Sequence, residues 1–322
     1  MTRNISIQSA FSRPVGSREF EICEHKGIGH PDTLTDGVCE AASRALSLRY
    51  QREFGRVLHH NLDKGLLLAG RSEPRFGGGR VLQPMRFLIC GRASPTGAAD
   101  SAAQIVVEAA RAYLRASIGF EAAAESVSAQ IGSTSASLQQ VFAPGTAMPR
   151  SNDTSFGTGF APYSPLERMV LDLAGAIRSA DFQREFPAAG ADFKVMGWRV
   201  GAASNLTLAL AFVDRHVESV AHYFALKQAM QERLSASIAG RARLHINRLD
   251  DPLARDESGL HLSVTGMSVE PIDRPELAGI EIDARGGLTA SMRARATEIA
   301  DARLADIRKV TEAILNDEIQ MY

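Results

Sequence analysis

The chain has 322 residues, 45% of them hydrophobic and 23% charged, and a formal net charge of −1. It is long enough for two or three modules, and its charge balance argues against a nucleic-acid or membrane partner recruited by electrostatics. Its three cysteines, Cys23, Cys39 and Cys90, stand at no metal-ligand spacing and make no disulfide framework.

No apolar h-region opens the chain and no apolar run is long enough to span a bilayer, so a cytoplasmic protein is expected. The first unusual stretch is HKGIGHPDTLTDG at 25–37. Pro31 suits the first position of a helix and Gly55 suits its C-terminal cap. A helix is therefore expected over 31–54, with Leu34, Val38, Ala42, Ala45 and Leu46 as its apolar stripe. RVLHHNL, KGLLLAG and RVLQPMRFLICG read as three strands, with the FGGG turn at 76–79 between the last two. Helices fit 97–117 and 165–180. FKVMGWRV and LTLALAFV read as a hairpin around GAASN. A helix fits 216–238, followed by RLHINRL and LHLSVTG as a strand pair. GIEIDA is a short strand, and a long helix is expected from Thr289 to Asn316. Strand pairs alternate with single helices. The expected fold is α+β, in repeated modules of mixed or antiparallel sheet with helices on one face, and not a doubly wound parallel sheet.

The same stretches carry the candidate chemistry. A helix N-terminus gathers anions through its free N–H groups and its dipole. His30 could meet a phosphate chain there, and Asp32 in the first turn could hold a Mg²⁺ that bridges phosphate oxygens. The plainer alternative is that Asp32 serves the helix dipole and His30 is a polar loop residue. Asp63 and Lys64, with His59 and His60 before them, form a second candidate, although strand alternation lets only part of that group share a site. In SNDTSFGTGFAP at 151–162, Asn152, Asp153 and Thr154 stand among glycines that let backbone approach a ligand; a surface loop is the simpler reading. In ADFKVMG, alternation places Asp192 and Lys194 on one strand face, as a substrate clamp or an ordinary ion pair.

In this order, HKGIGHPDTLTDG, REFGRVLHHNLDKGLLLAG, FGGG, NDTSFGTGFAP, LERMVLD, KVMG and LHLSVTG strongly resemble the archaeal-type methionine adenosyltransferase (S-adenosylmethionine synthetase) family. The resemblance runs from about residue 15 to 268. It resumes near 270 with EP and IEID and continues through ARATEIADARLADIRKVTEAIL. It implies three similar α+β modules, here 15–150, 151–267 and a reduced 268–322 together with 1–14. It also implies a homodimer packed through flat sheets, with active sites between subunits. The implied reaction is attack of the methionine sulfur on C5′ of ATP, expulsion of triphosphate and its hydrolysis, with Mg²⁺ and usually K⁺. By resemblance His30 meets the triphosphate and Asp32 ligates Mg²⁺. Lys194 contacts the phosphate chain and Asp192 lies near the ribose. Asp153 faces the partner's ligand, and Lys64, Thr154 and Phe156 join the substrate-binding set.

One departure is large. Family members follow the VTG strand with a Gly-Arg-rich segment and a Gly-Lys-Asn-Pro segment that clamp triphosphate. Here VTGMSVEPIDRPELAGIEID runs almost directly to the C-terminal part, so the third module is expected to be truncated. The leading expectation is an adenosyl site repurposed for S-adenosylmethionine or a close analogue, by displacement, elimination, cyclisation or hydrolysis at a carbon attached to sulfur. In that case a carboxylate such as Asp153 or Asp192, or a histidine such as His30 or His60, could act as base, and no cofactor is fixed by the sequence. The alternatives are a genuine ATP-plus-methionine transferase, which a full-length family partner could complete, and a non-catalytic subunit.

Overall fold

A computed structural model describes residues 7, 13–97, 100–118, 126–134 and 159–267. The chain divides into units Met1–Ile272 and Asp273–Tyr322, and every described residue lies in the first. GIEIDA, the helix expected from Thr289 and all of 268–322 lie outside the described residues.

The first layer pair is a three-stranded sheet under two helices. Strand β2 (His60–Leu68) pairs antiparallel with β5 (Arg86–Ala93), which pairs parallel with β6 (Val127–Ser133). Helix α1 (Pro31–Phe54) and helix α2 (Ala102–Ile118) pack against it. Helix α1 forms where the sequence predicts. Pro31 sits in its first turn, Leu34, Val38, Ala42, Leu46 and Tyr50 form the buried stripe, and Gly55 closes it at φ 69°. Phe87 and Ile89 of β5 meet that stripe from below, with Val106, Ala110 and Leu114 of α2 alongside.

The second sheet holds β1 (Phe20–Lys26), β7 (Ala189–Val200), β8 (Ala203–Val213), β9 (Arg243–Ile246) and β10 (Leu262–Ser263). β1, β7 and β8 run antiparallel, while β9 and β10 each add parallel to β8. Helix α3 (Pro165–Arg178), the short α4 (Ala180–Glu185) and α5 (Val220–Ser237) supply the apolar cover. Ser164 and Glu167 cap α3 reciprocally through side chain and backbone. Among the described residues no helix is long and apolar enough to cross a membrane.

The α+β expectation holds, with local corrections. RVLQPMRFLICG is two strands, β4 (Arg80–Gln83) and β5, in different sheets: Pro84 lies between them, and proline cannot donate to a ladder. FGGG therefore turns between the short β3 (Arg71–Glu73) and β4. HHNLDKGLLL is one strand rather than two, and a register shift between Asn61 and Lys64 absorbs the irregularity. RLHINRL and LHLSVTG do not pair with each other, since both add to β8. Strand β1, not expected from the sequence, joins the second sheet as the neighbour of β7.

Candidate active site at the start of helix α1

Three segments meet where α1 begins: the end of β1, the GIG loop and the start of β7. Their closeness depends on glycine. The Gly27 and Gly29 N–H groups donate to the carbonyls of Phe193 and Ala191, at 2.7 and 3.0 Å. A Cβ on Gly29 would lie 2.6 Å from the Ala191 carbonyl carbon, and one on Gly27 would lie 2.6 Å from the Phe193 ring. No larger residue lets the loop lie so flat on the strand.

His30 caps the helix that this loop launches. Its backbone is extended, and its Nδ1 accepts from the Asp32 N–H at 3.2 Å. An accepting Nδ1 leaves the ring proton on Nε2, so the imidazole presents a hydrogen-bond donor on its other edge. The side chain is 17% exposed. Asp32 follows in the first turn with its carboxylate 62% exposed.

Charge is concentrated beside this turn. Lys26 faces Lys194 directly across the β1–β7 ladder. Like charges in that position repel unless something compensates. Two carboxylates do so: Lys26 Nζ lies 2.5 Å from Asp32 Oδ2 and 3.6 Å from Glu24, and Lys194 Nζ lies 3.3 Å from Glu24. The hydrogen bond from Lys26 holds the Asp32 carboxyl below the ordinary carboxylate range and raises the lysine in return. Next to the cluster an open cavity of about 720 Å³ is lined by Lys26, Asp32, Thr35 and Asp36, with Leu66 and Leu67 from β2. Its size is that of a small-molecule site.

The other expected residues separate. Asp192 and Lys194 do not present alike: a register shift between Ala189 and Phe193 breaks the alternation, leaving Asp192 4% exposed while Lys194 is open. The Asp192 N–H donates to the Gly266 carbonyl. Lys194 makes its ion pair with Glu24. Lys64 is an exposed residue in an ion pair with Asp63 at 2.7 Å, and it does not line the cavity. His60 is committed to structure, its ring nitrogens bonded to the Leu58 carbonyl at 3.0 Å and the Ser43 hydroxyl at 2.9 Å. Asp153, Thr154 and Phe156 lie outside the described residues. Sequence reasoning passed over Lys26 and Glu24, although both lie in or beside the HKGIGHPD stretch. Strand alternation puts them on one face, but only the pairing with β7 brings that face to Lys194.

A profile of the family described as S-adenosylmethionine synthetase (AdoMet synthetase) matches residues 3–273. The chain belongs to the S-adenosylmethionine synthetase family. The S-adenosylmethionine synthase of Methanosphaera stadtmanae is 41% identical over 281 residues, covering 83% of this chain and 69% of its own. That of Pyrococcus furiosus is 38% identical over 284 residues, covering 85% and 70%. A solved structure described as an unusual S-adenosylmethionine synthetase from Campylobacter jejuni matches with a TM-score of 0.41 and 13% identity over 71% of this chain and 58% of its own, a likeness too weak to carry an argument. The family match covers the described sheets and the start of α1, and it ends at residue 273.

Members of this family are expected to use Mg²⁺, and the donor set can be tested for it. Among the described residues no group of three or more His, Cys, Asp or Glu could hold a metal ion. A protein cage is therefore not what these described residues offer. Mg²⁺ binds by another mode as well, through one or two carboxylates with substrate phosphates and waters completing the octahedron. An open Asp32 carboxylate, partnered by an ammonium and set at a helix N-terminus, fits that mode.

Proposed function

We propose that this S-adenosylmethionine synthetase relative binds the triphosphate of ATP at the start of α1 and transfers the adenosyl group to the sulfur of methionine or a close analogue. The observation that carries this reading is the pair of lysines facing each other across β1 and β7, beside a helix N-terminus and an exposed carboxylate. Two ammoniums, a histidine N–H and a helix dipole suit a polyanion accompanied by a divalent cation. S-adenosylmethionine alone offers them one carboxylate and no phosphate chain.

In the proposed step the sulfur forms a bond to C5′ as the C5′–O bond breaks, and the triphosphate leaves with the electron pair. A thioether has no proton to lose, so no base is needed. What the site must supply is alignment and neutralisation of the leaving group. His30 donates from Nε2 to a phosphoryl oxygen, Lys194 and Lys26 neutralise the chain, and Asp32 holds the metal. Bound Mg²⁺ would neutralise charge on the leaving oxygens; the match to the family also suggests K⁺. Asp192 near the ribose, and Asp153, Thr154, Phe156 and Lys64 as further substrate contacts, remain part of the proposal by family resemblance.

The open face of the second sheet supports a homodimer. Phe20 and Ile22 of β1 and Trp198 and Val200 of β7 are exposed on it, and Glu24, Lys26 and Lys194 continue the same face toward α1. A copy packed on the apolar part would bring its own residues to the charged end. A full-length family member could take the same place. The three free cysteines suit a cytoplasmic setting.

A second reading is favoured by the joint VTGMSVEPIDRPELAGIEID, where the family match ends and the family's triphosphate-clamping segments are missing. Under it the site acts on S-adenosylmethionine or an analogue, by displacement, elimination, cyclisation or hydrolysis at a carbon attached to sulfur. Mass spectrometry of two parallel reactions separates the readings. One contains ATP, methionine, Mg²⁺ and K⁺; the other contains S-adenosylmethionine alone. S-adenosylmethionine formed in the first, and lost in an Asp32→Ala variant, is the expected result. Consumption in the second with silence in the first would replace the first reading by the second.

A further inference from the structure

The cluster at α1 is balanced without a ligand. Lys26 and Lys194 supply two positive charges, and Glu24 and Asp32 supply two negative ones. The two lysines are not equivalent, however. Lys194 is paired to Glu24 at 3.3 Å. Lys26 is paired chiefly to Asp32, the carboxylate that would serve the metal, at 2.5 Å, with Glu24 farther away at 3.6 Å. Its ammonium stands where a cation on that carboxylate would stand.

We propose that Lys26 is a latch on the metal-binding carboxylate. It holds Asp32 while the site is free of ligand. When a phosphate-bound divalent cation takes that carboxylate, Lys26 turns to the phosphate chain beside Lys194. The proposal rests on the triphosphate reading above and names the residue that couples its two ligands. Lys26 is able to make the exchange. Its side chain is one-third exposed, its stem has four rotatable bonds, and it lines the cavity while facing Lys194 across the ladder. A divalent cation arriving alone must displace an ammonium whose second ion-pair partner, Glu24, Lys194 already holds. A polyanion arriving alone meets a lysine that is engaged and a carboxylate that repels it. Arriving together, they release Lys26 from the one and engage it with the other. Each ligand therefore strengthens binding of the other, and by linkage the factor is the same in both directions.

The test uses the full chain, with Mn²⁺ as a spectroscopic stand-in for Mg²⁺ and inorganic tripolyphosphate as the polyanion. Free Mn²⁺ is followed by electron paramagnetic resonance and tripolyphosphate binding by calorimetry, for the wild type, Lys26→Met and Lys194→Met. Lys26→Met should tighten binding of Mn²⁺ alone about tenfold, within the ordinary range of coupling factors. It should weaken binding of tripolyphosphate alone. Lys194→Met should also weaken tripolyphosphate but leave Mn²⁺ within about twofold, because Lys194 does not hold Asp32. Unchanged or weaker Mn²⁺ binding in Lys26→Met overturns the latch. So does equal tightening in both variants, which would mark a general loss of positive charge. A wild type that binds tripolyphosphate neither with nor without Mn²⁺ overturns the triphosphate reading itself and the latch with it. Wild-type binding with an inert Lys26→Met overturns the latch alone. Circular dichroism checks that each variant is folded.

Discussion

Lys26 and Lys194 occupy directly opposed positions of an antiparallel ladder, a placement that costs stability unless a polyanion or neighbouring acids repay it. Glu24 and Asp32 compensate without ligand. Lys194→Met should therefore leave thermal stability unchanged or slightly raised. By analogy with the loss of one oxyanion donor it should cost about 2.7–4 kcal/mol of transition-state stabilisation, or about 10²–10³ in turnover. Thermal unfolding and turnover measured on one preparation check both halves.

The proposed site gives His30 two jobs with two nitrogens, and they can be separated. His30→Ala removes the cap on α1 and should cost about 1 kcal/mol of stability along with activity. His30→Asn restores a good cap, since asparagine can accept from the same N–H, but lacks the Nε2 donor. Denaturant unfolding should return close to wild type in His30→Asn while turnover stays low. Equal turnover in His30→Asn and wild type would remove His30 from the phosphate site.

Gly29→Ala places a methyl 2.6 Å from the Ala191 carbonyl carbon, and backbone on both sides must move. The loop carrying His30 and Asp32 should lift from β7. The expected outcome is a loss of tripolyphosphate binding greater than the loss of global stability. Hydrogen exchange should rise at the Gly27 and Gly29 amides, which donate to β7. Calorimetry and exchange mass spectrometry read these independently.

Burial pushes the His261 pKa down, and the nearby Asp192 and Asp250 only partly offset it. The unfolded chain, with an ordinary histidine near 6.5, then binds more protons than the folded one once pH falls below about 6.5. The contribution to stability is present above that pH and is lost as pH falls toward the depressed folded value. Urea unfolding of wild type and His261→Gln at pH 7.5 and 5.5 isolates this group, because His25, His59 and His245, also shifted down, are common to both. Wild type should lose more than the variant on acidification.

Much of the fold was legible where local chemistry decides it. Pro31 and Gly55 bracket α1 to the residue, and the hairpin around Gly201 follows from two apolar runs and a turn. What local pattern could not carry was long-range pairing. Strand β1 has no clean alternation, because Glu21 is buried on it in an ion pair with Arg199 while Phe20 and Ile22 stay exposed. Missing β1 meant missing that Lys26 and Glu24 belong with Lys194. Asp192 differs from Lys194 in burial for a related reason: alternation presumes an unbroken ladder, and β7 is irregular where the residue sits. The cap position of His30 and the first-turn place of Asp32 were readable because a helix start shows itself within four residues.

The β1–β7 pairing also orders events during synthesis. Glu21 waits for Arg199, 178 positions later, before its charge is matched. Until the ribosome has released β7, the first strand has no neighbour to pair with. The HPD helix can fold early on β2 and β5, but the seat beside it is assembled only when the emerging chain returns to its own beginning. A nascent chain stopped before residue 189 would display the motif without β7 beside it.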